Sequence, residues 1–232
     1  MRLCLLSFAA IALAPLPAAA QSCEARAGVR PPLVLELYTS EGCSSCPPAD
    51  RWLSSLKAGA DVLPLAFHVS YWNRLGWADR FASPEATQRQ VEWARIMAAS
   101  NVYTPQVVAG GRDWRRWPTL PEAPAAAPMA LTLRRDGVRV TADVGAAPGR
   151  WMAYWAVLED GHRSRVTAGE NRGETLAHDH VVRLYRPVPA WSGSAQHFEL
   201  QLPAAAAERP QRVVFIVEDG ATRRPVQALA CR

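Results

Sequence analysis

The sequence has almost no lysine and no long basic run. Lys57 is the only lysine among the 26 lysine and arginine residues of the 232-residue chain, and the arginines stand singly or in pairs. A surface that binds nucleic acid needs its basic residues clustered on one element. Although the formal net charge is +5, we therefore expect no nucleic-acid partner.

Long apolar runs are missing beyond the first twenty residues, so we predict no transmembrane span in the mature chain. The first twenty residues follow a different pattern: Arg2 gives a positive start, residues 3–13 are apolar, and residues 18–20 are three alanines. A charged start, an apolar stretch and a small-residue cleavage site are typical of a secretory signal peptide. We predict that residues 1–20 are this leader and that the mature protein is periplasmic or secreted.

The mature chain also lacks a second close pair of cysteines, which argues against a structural zinc site. Once Cys4 leaves with the leader, four cysteines remain, namely Cys23, Cys43, Cys46 and Cys231. An exported protein with an even number of cysteines is expected to be disulfide-bonded. Because Cys43 and Cys46 are near neighbours, we predict the pairing Cys43–Cys46 together with Cys23–Cys231.

The first half of the mature chain is predicted to alternate strands and helices. Short apolar runs at residues 33–38 and 62–69 are typical of buried strands. A helical stretch is expected from residue 49, and Ser83 followed by proline and an acid is typical of a second helix start. A further strand follows the Thr104–Pro105 step. This alternation implies a sheet with helices packed on its faces.

The composition changes at residues 118–128, which are rich in proline and alanine and are predicted to be a linker. Beyond them, short apolar or alternating runs are separated by Asp-Gly pairs, which are typical of hairpin turns. Several short strands at this spacing favour a small β-sandwich. We therefore predict a second, β-rich domain over residues 129–232.

A lone Cys-x-x-Cys pair fits a structural clip or a redox pair, and its position favours the redox pair. Cys43 and Cys46 follow a predicted buried strand and precede a predicted helix, whose N-terminus stabilises a thiolate. The Thr104–Pro105 bond is predicted to be cis and to face the sulfurs, which leaves the threonine backbone open to a substrate strand.

These motifs resemble a known family. The strings LVLELYTSEGCSSCPPAD at residues 33–50, VYTPQVVAGG at 102–111 and GENRGETLAHDHVVR at 169–183 are similar to the thioredoxin-like proteins grouped as domain of unknown function family 1223. The resemblance covers nearly the whole mature chain and implies an exported bacterial protein. It implies an α/β thioredoxin-like N-terminal domain over residues 21–117 and an appended C-terminal all-β, sandwich-like domain over residues 129–232.

The sequence departs from thioredoxin itself around the cysteines. Gly42 stands where an aromatic residue is usual, two serines separate the cysteines, and two prolines follow them. A residue before proline is disfavoured in the helical conformation. We therefore expect Cys46 and Pro47 to lie just outside the helix, where the helix dipole acts more weakly on the sulfurs.

The leading hypothesis is thiol–disulfide exchange with a partner protein, without a cofactor. Cys43 would be the exposed nucleophile, Cys46 the resolving thiol, and Thr104 with Pro105 the substrate clamp. Glu36 lies in the first predicted strand, where a buried acid would relay a proton to the second cysteine. The alternative for Glu36 is a strand carboxylate that faces solvent.

Two other functions stay open. In the first, Cys43–Cys46 is a structural clip in a non-catalytic binding module whose β-rich domain recognises a partner. In the second, the two cysteines and a nearby histidine carry Cu(I). His178 and His180 would share one face of a strand, which fits copper or zinc, but exposed polar residues at a strand end are the simpler interpretation.

Overall fold

Apolar runs and turns divide the chain into short strands, and a computed structural model describes their arrangement for residues 22–202 and 209–231. The predicted leader therefore lies outside the described residues. The strands have these bounds: β1 Ser22–Arg26, β2 Leu33–Thr39, β3 Val62–His68, β4 Gln106–Ala109, β5 Arg112–Asp113, β6 Leu131–Asp136, β7 Arg139–Val144, β8 Ala147–Glu159, β9 His162–Arg165, β10 Thr175–His178, β11 Val181–Gly193, β12 Gln196–Gln201, β13 Gln211–Asp219 and β14 Pro225–Cys231. The helices are α1 Pro47–Ser55 and α2 Pro84–Ile96.

Both helices begin at a proline, which needs no backbone N–H at the first helical position. At α2 the Ser83 hydroxyl caps the helix by accepting the Ala86 N–H at 3.0 Å, as the sequence predicts. At α1 the expectation is confirmed for Cys46, which is the N-cap residue just before the helix, and wrong for Pro47, which is the first helical residue. Cys46 has helical dihedral angles although a proline follows it. Neither helix of the described residues is long and apolar enough to span a membrane.

One large sheet contains strands from both halves of the chain. Its eight strands lie in the order β14-β13-β8-β11-β3-β2-β4-β5. β2 and β3 are parallel neighbours, as expected for two apolar strands joined through a helix. β11 then pairs with the other edge of β3, and β8 and β13 extend the sheet further.

The predicted fold class, an α/β thioredoxin-like N-terminal domain with an appended all-β domain, is wrong. The described residues are mostly β, with 46% in strands, 12% in helices and several sheets, and the N-terminal half is not an α/β thioredoxin-like domain. The reason lies in β8 and β13, whose apolar runs at residues 153–158 and 213–217 are buried on both faces. Strands buried on both faces belong inside a sheet that is covered on both sides. The linker predicted at residues 118–128 contains neither helix nor strand, and the domain bounds stay a prediction.

A second sheet covers one face of the C-terminal strands. It has the order β1-β6-β7-β12 and packs a core of apolar side chains against β8, β13 and β14, including Trp155 and Phe215. A disulfide joins Cys23 in β1 to Cys231 in β14, which confirms the predicted pairing. The bond therefore links the two sheets.

The two faces of β2 bury different residues, and this alternation positions the cysteines. Leu35 and Leu37 face α1 and pack with its Leu53, whereas Val34 and Tyr38 face α2 and pack with Trp93. The short loop of residues 40–46 connects the end of β2 to the start of α1. The Cys-x-x-Cys segment is consequently held at the N-terminus of α1, at the edge where β2 ends.

Candidate functional site

Cys43 and Cys46 form the second disulfide of the described residues, at the start of α1, as predicted. The Cys46 carbonyl accepts the N–H groups of Ala49 and Asp50 at 2.9 and 3.1 Å, which begins the helix. The preceding residue is Gly42, where an added Cβ would stand 3.0 Å from the Trp72 Cβ. Close packing against Trp72 therefore explains why a larger side chain does not precede the first cysteine.

Thr104 lies against the first sulfur. The peptide bond between Thr104 and Pro105 is cis, as the sequence predicts, and antiparallel pairing of β4 with β2 brings this step beside the cysteines. The Trp72 indole N–H donates to the Thr104 hydroxyl at 2.8 Å, and that hydroxyl donates to Cys43 Sγ at 3.2 Å. A tryptophan, a threonine and a sulfur thus form one directed chain of hydrogen bonds.

Residues 169–173, which we call the cover loop, close over the cysteine segment from the C-terminal half of the chain. The Glu170 carboxylate accepts the Ser44 N–H at 3.0 Å and the Ser44 hydroxyl at 2.8 Å. The Asn171 side chain donates to the carbonyls of Glu41 and Cys43, both at 2.9 Å. The sequence predicts only a turn at these residues, and their place in the string GENRG, which carries the family resemblance, leaves a binding role open.

Both cysteines are fully buried, with 0% of each residue exposed. The expectation that Cys43 is an exposed nucleophile was therefore wrong for this closed arrangement. Ser44 and Ser45 between them are exposed, so solvent reaches the segment but not its sulfurs. The structure shows a covered disulfide.

Glu36 is placed away from the cysteines, on the α2 face of β2. Its carboxylate accepts hydrogen bonds from Arg89 at 2.6 and 3.0 Å, from Tyr38 at 2.6 Å and from Trp93 at 2.9 Å. Burial would raise the pKa of Glu36, but the Arg89 charge and these hydrogen bonds outweigh it and hold the pKa below its usual range. The structure thus assigns Glu36 to a buried ion pair, and the relay role stays a prediction without a contact to support it.

A group of buried polar side chains adjoins the cysteine segment, and sequence reasoning did not assemble it. Its members come from β2, the following loop, α1, β3, the loop before α2 and β10. We call it the polar cluster, and its residues are at most 6% exposed: Thr39, Glu41, Asp50, His68, Asp79 and His178. The expected exposed strand end at residues 178–180 was wrong, since His178 and His180 are 2% and 5% exposed.

His68 and Asp79 form the tightest contact of the polar cluster, with Nδ1 and Oδ2 2.7 Å apart. Burial would raise the pKa of Asp79, but the His68 charge and hydrogen bonds from backbone N–H groups outweigh it and lower the pKa to about 2. Burial would lower the pKa of His68, and the Asp79 carboxylate overcomes this effect and raises it. The pair is therefore held in its charged form.

Among the described residues, no group of three or more His, Cys, Asp or Glu side chains is arranged to hold a metal ion. The predicted pair His178 and His180 does not form a joint site. His180 instead contacts the Leu56 carbonyl at 3.1 Å and the Arg212 guanidinium at 3.3 Å.

The chain is similar to known proteins in sequence and in fold. The family described as "Protein of unknown function (DUF1223)" matches residues 34–218. A crystal structure of an Agrobacterium tumefaciens protein is similar, with 26% identity, a TM-score of 0.66 and coverage of 88% of this chain and 96% of that one. HBP35 of Porphyromonas gingivalis is similar in fold alone, with 14% identity, a TM-score of 0.58 and coverage of 88% and 76%. No curated protein matches the sequence.

Proposed function

The chain belongs to the DUF1223 family, whose description assigns no activity, and we propose from the cysteine site that it performs thiol–disulfide exchange with a partner protein. The observation that carries the proposal is the contact between the Thr104 hydroxyl and Cys43 Sγ at 3.2 Å, at the N-terminus of α1. A hydrogen-bond donor and a helix N-terminus both stabilise a thiolate at this sulfur. These features favour Cys43 as the nucleophile.

The exchange follows from the chemistry of the pair. A partner thiolate attacks Cys43 Sγ, the Cys43–Cys46 bond breaks, and its electron pair leaves on Cys46 Sγ. The second thiolate of the same partner then attacks the partner sulfur that is bonded to Cys43. The partner is thereby oxidised to a disulfide, and Cys43 leaves as a thiolate. In the reverse direction the Cys43 thiolate attacks a partner disulfide and Cys46 resolves the mixed disulfide, so the partner is reduced to a dithiol and the Cys43–Cys46 bond re-forms. Thr104 and Pro105 serve as the clamp beside the reacting sulfur.

Because both sulfurs are buried, exchange requires the cover loop to move. The loop holds the segment through four hydrogen bonds, two accepted by the Glu170 carboxylate and two donated by the Asn171 amide. Glycines with positive φ stand at both ends, with values of 72° at Gly169 and 94° at Gly173. Such glycines permit backbone changes that other residues resist. A partner that displaces the loop gains access to Cys43.

We also propose that the protein works outside the cytoplasm, in the periplasm or as a secreted protein. Two disulfides in the described residues support this location, since disulfides persist in oxidising compartments. The predicted leader at residues 1–20 supports it from the sequence. A direct measurement is the mass of the N-terminus after expression in a bacterial host, which is expected to begin at Gln21.

The burial of both cysteines favours a second candidate, in which the pair is a structural clip of a binding module. The reduction potential separates the two functions. A potential between about −270 and −120 mV is the range of exchange proteins, whereas one below about −300 mV is typical of a structural bridge. Cu(I) transport has no observation in its favour beyond the two sulfurs.

The test of exchange is a trapping experiment with Cys46→Ser and with Cys43→Ser as its matched control. Without Cys46 the mixed disulfide at Cys43 has no resolving thiol, so Cys46→Ser is expected to hold partner proteins through a bond that dithiothreitol cleaves. Cys43→Ser is expected to hold none. Equal trapping by both variants, or none by either together with a potential below about −300 mV, would favour the clip.

A further inference from the structure

One imidazole joins the carboxyl groups that stand on either side of the cysteine pair. His178 Nε2 lies 3.4 Å from Glu41 Oε1, and His178 Nδ1 lies 4.0 Å from Asp50 Oδ2. Glu41 comes two residues before Cys43, and Asp50 comes four residues after Cys46. Residues four apart are neighbours on one face of a helix. The C-terminal half of the chain thus inserts a histidine beneath the Cys-x-x-Cys segment.

The polar cluster is unusual in how many of its buried polar atoms lack a hydrogen bond. Eight buried side-chain atoms in the described residues have no such partner. Six of them belong to the cluster or to the adjacent Ser164: Thr39 Oγ1, Glu41 Oε1, His68 Nε2, Ser164 Oγ, and His178 Nδ1 and Nε2. An unsatisfied buried group destabilises a fold, so a concentration of them in one place points to a use. Imidazoles and carboxyls with free nitrogen and oxygen atoms are groups that exchange protons.

We propose that His178, Glu41 and Asp50 form the proton-exchange site of the Cys43–Cys46 pair, a role that rests on the proposed thiol–disulfide exchange. When the disulfide opens, its electron pair leaves on Cys46 Sγ, and Asp50 passes a proton to that sulfur. His178 replaces the proton on Asp50, and the proton lost by the partner thiol restores His178. When the disulfide closes, the proton returns by the same route. His178 is a positioning residue, since it acts on the sulfur through Asp50.

The charged surroundings of His178 support this assignment. Glu41 faces it from the loop after β2, Asp50 from α1, and His68 from β3 with ring centroids 4.9 Å apart. Asp79 stands behind His68 at 2.7 Å. His162 of β9 lies on the far side of Phe81, whose ring centroid is 5.6 Å from that of His178 and 4.7 Å from that of His162.

The two carboxyl groups that flank His178 differ in how readily they hold a proton. Burial raises the pKa of Asp50, and the nearby histidine charges offset this only in part. Burial also acts on Glu41, but the nearby polar groups of His178 and Ser164 and the hydrogen bond from the Trp77 indole outweigh it and lower its pKa. Burial therefore favours the protonated form of Asp50, the carboxyl group that follows Cys46 in the chain, whereas the surroundings of Glu41 favour its ionised form.

The test is the rate constant for reduction of the Cys43–Cys46 pair by glutathione from pH 5 to pH 8, read by quenching with an alkylating reagent and mass spectrometry. His178→Asn is compared with His180→Asn, the same change at a buried histidine outside the cluster. We expect His178→Asn to lower the rate constant at pH 7 by about tenfold or more, since a positioned acid or base contributes about 10²–10⁴-fold, and to change its pH dependence relative to the unmodified protein. His180→Asn is expected to keep the rate constant within about twofold of the unmodified protein, well below the contribution of a positioned acid or base.

Asp50→Asn provides a second reading if His178→Asn does not fold, and we expect it to shift the same pH profile. A folded His178→Asn or Asp50→Asn with the unmodified pH profile overturns the proposal, as does an equal shift in His180→Asn. The outcome is separate from that of the proposed function, because glutathione replaces the partner protein. A failure of Cys46→Ser to trap partners would refute exchange and leave the measured pH profile interpretable.

Discussion

From the contacts of the cover loop we predict which disulfide is reduced first when the loop is weakened. Asn171→Ala removes the side-chain amide that donates to the carbonyls of Glu41 and Cys43, both at 2.9 Å. Asn171 is 6% exposed, so water does not readily replace the lost donor. The substitution therefore destabilises the closed position of the loop. It leaves the open position unaffected, because water solvates the same carbonyls there in both proteins.

The size of the effect follows from these two contacts. Leaving buried acceptors without a donor costs about 1–3 kcal/mol, which raises the open fraction of the loop roughly 5- to 150-fold. If reduction of Cys43–Cys46 occurs only from the open form, its rate rises by the same factor. Glu170→Gln keeps the shape of the side chain and weakens only a charge-assisted acceptor, so a smaller increase is expected.

The assay is reduction by dithiothreitol, quenched by alkylation and followed by peptide mapping. The Cys23–Cys231 bond is an internal control, because it joins β1 and β14 far from the loop along the chain. Asn101→Ala, at an exposed asparagine, is the matched control variant. We expect faster reduction of Cys43–Cys46 in Asn171→Ala and unchanged reduction of Cys23–Cys231.

Two results would refute the reasoning. Equal rates for Cys43–Cys46 in Asn171→Ala and the unmodified protein would mean that the loop does not limit access to the sulfurs. Equal acceleration of both disulfides would mean that the substitution loosens the whole fold rather than the loop.

Three further predictions concern stability, each checked by urea unfolding. Arg89→Met leaves buried Glu36 without its cation and leaves Glu218 with Arg223 alone. It is expected to cost about 3–5 kcal/mol; a loss below about 1 kcal/mol, typical of an exposed pair, would contradict it. The pKa of Asp79 is lowered from 3.8 to about 2, which contributes about 2 kcal/mol to the free energy of unfolding above pH 4. This contribution is lost as the pH falls from 4 to 2, and Asp79→Asn should abolish the dependence. The raised pKa of His68 gives the opposite sign, since its contribution is complete below the unfolded-state pKa and is lost as the pH rises through the folded value. Gly42→Ala places a Cβ 3.0 Å from that of Trp72 and should destabilise the protein by about 1–3 kcal/mol. An unchanged urea midpoint would show that the loop between β2 and α1 has room for the added methyl group.

Much of the local structure could be predicted because it depends on neighbouring residues. The apolar runs that became β2 and β3 and the Ser83 cap of α2 are patterns within a few residues of each other. The pairing Cys43–Cys46 follows from proximity in the chain, and Cys23–Cys231 then follows by exclusion. The contact of Thr104 with Cys43 could be anticipated from the order of the elements.

The fold class could not be predicted in the same way, because it depends on which strand edges meet. An apolar strand has the same sequence pattern whether it lies in a β-sandwich or inside a larger sheet. Nothing local to β11 indicates that it pairs with β3 rather than closing a separate domain. That choice is made by the summed burial of β8, β11 and β13 against α2 and the second sheet.

The amino-acid sequence by itself determined where the reactive pair stands, at the junction of an apolar strand and a proline-started helix, because proline, glycine and cysteine act within one turn of chain. Only the tertiary structure decided what surrounds that pair. Glu36 faces Arg89 and not the cysteines, whereas Asn171 binds the Cys43 carbonyl and His178 contacts Glu41 beside the pair. The last two come from more than 120 residues away, as the separation of 128 between Asn171 and Cys43 shows. Side chains so distant meet only through the pairing of strands, which no short pattern encodes.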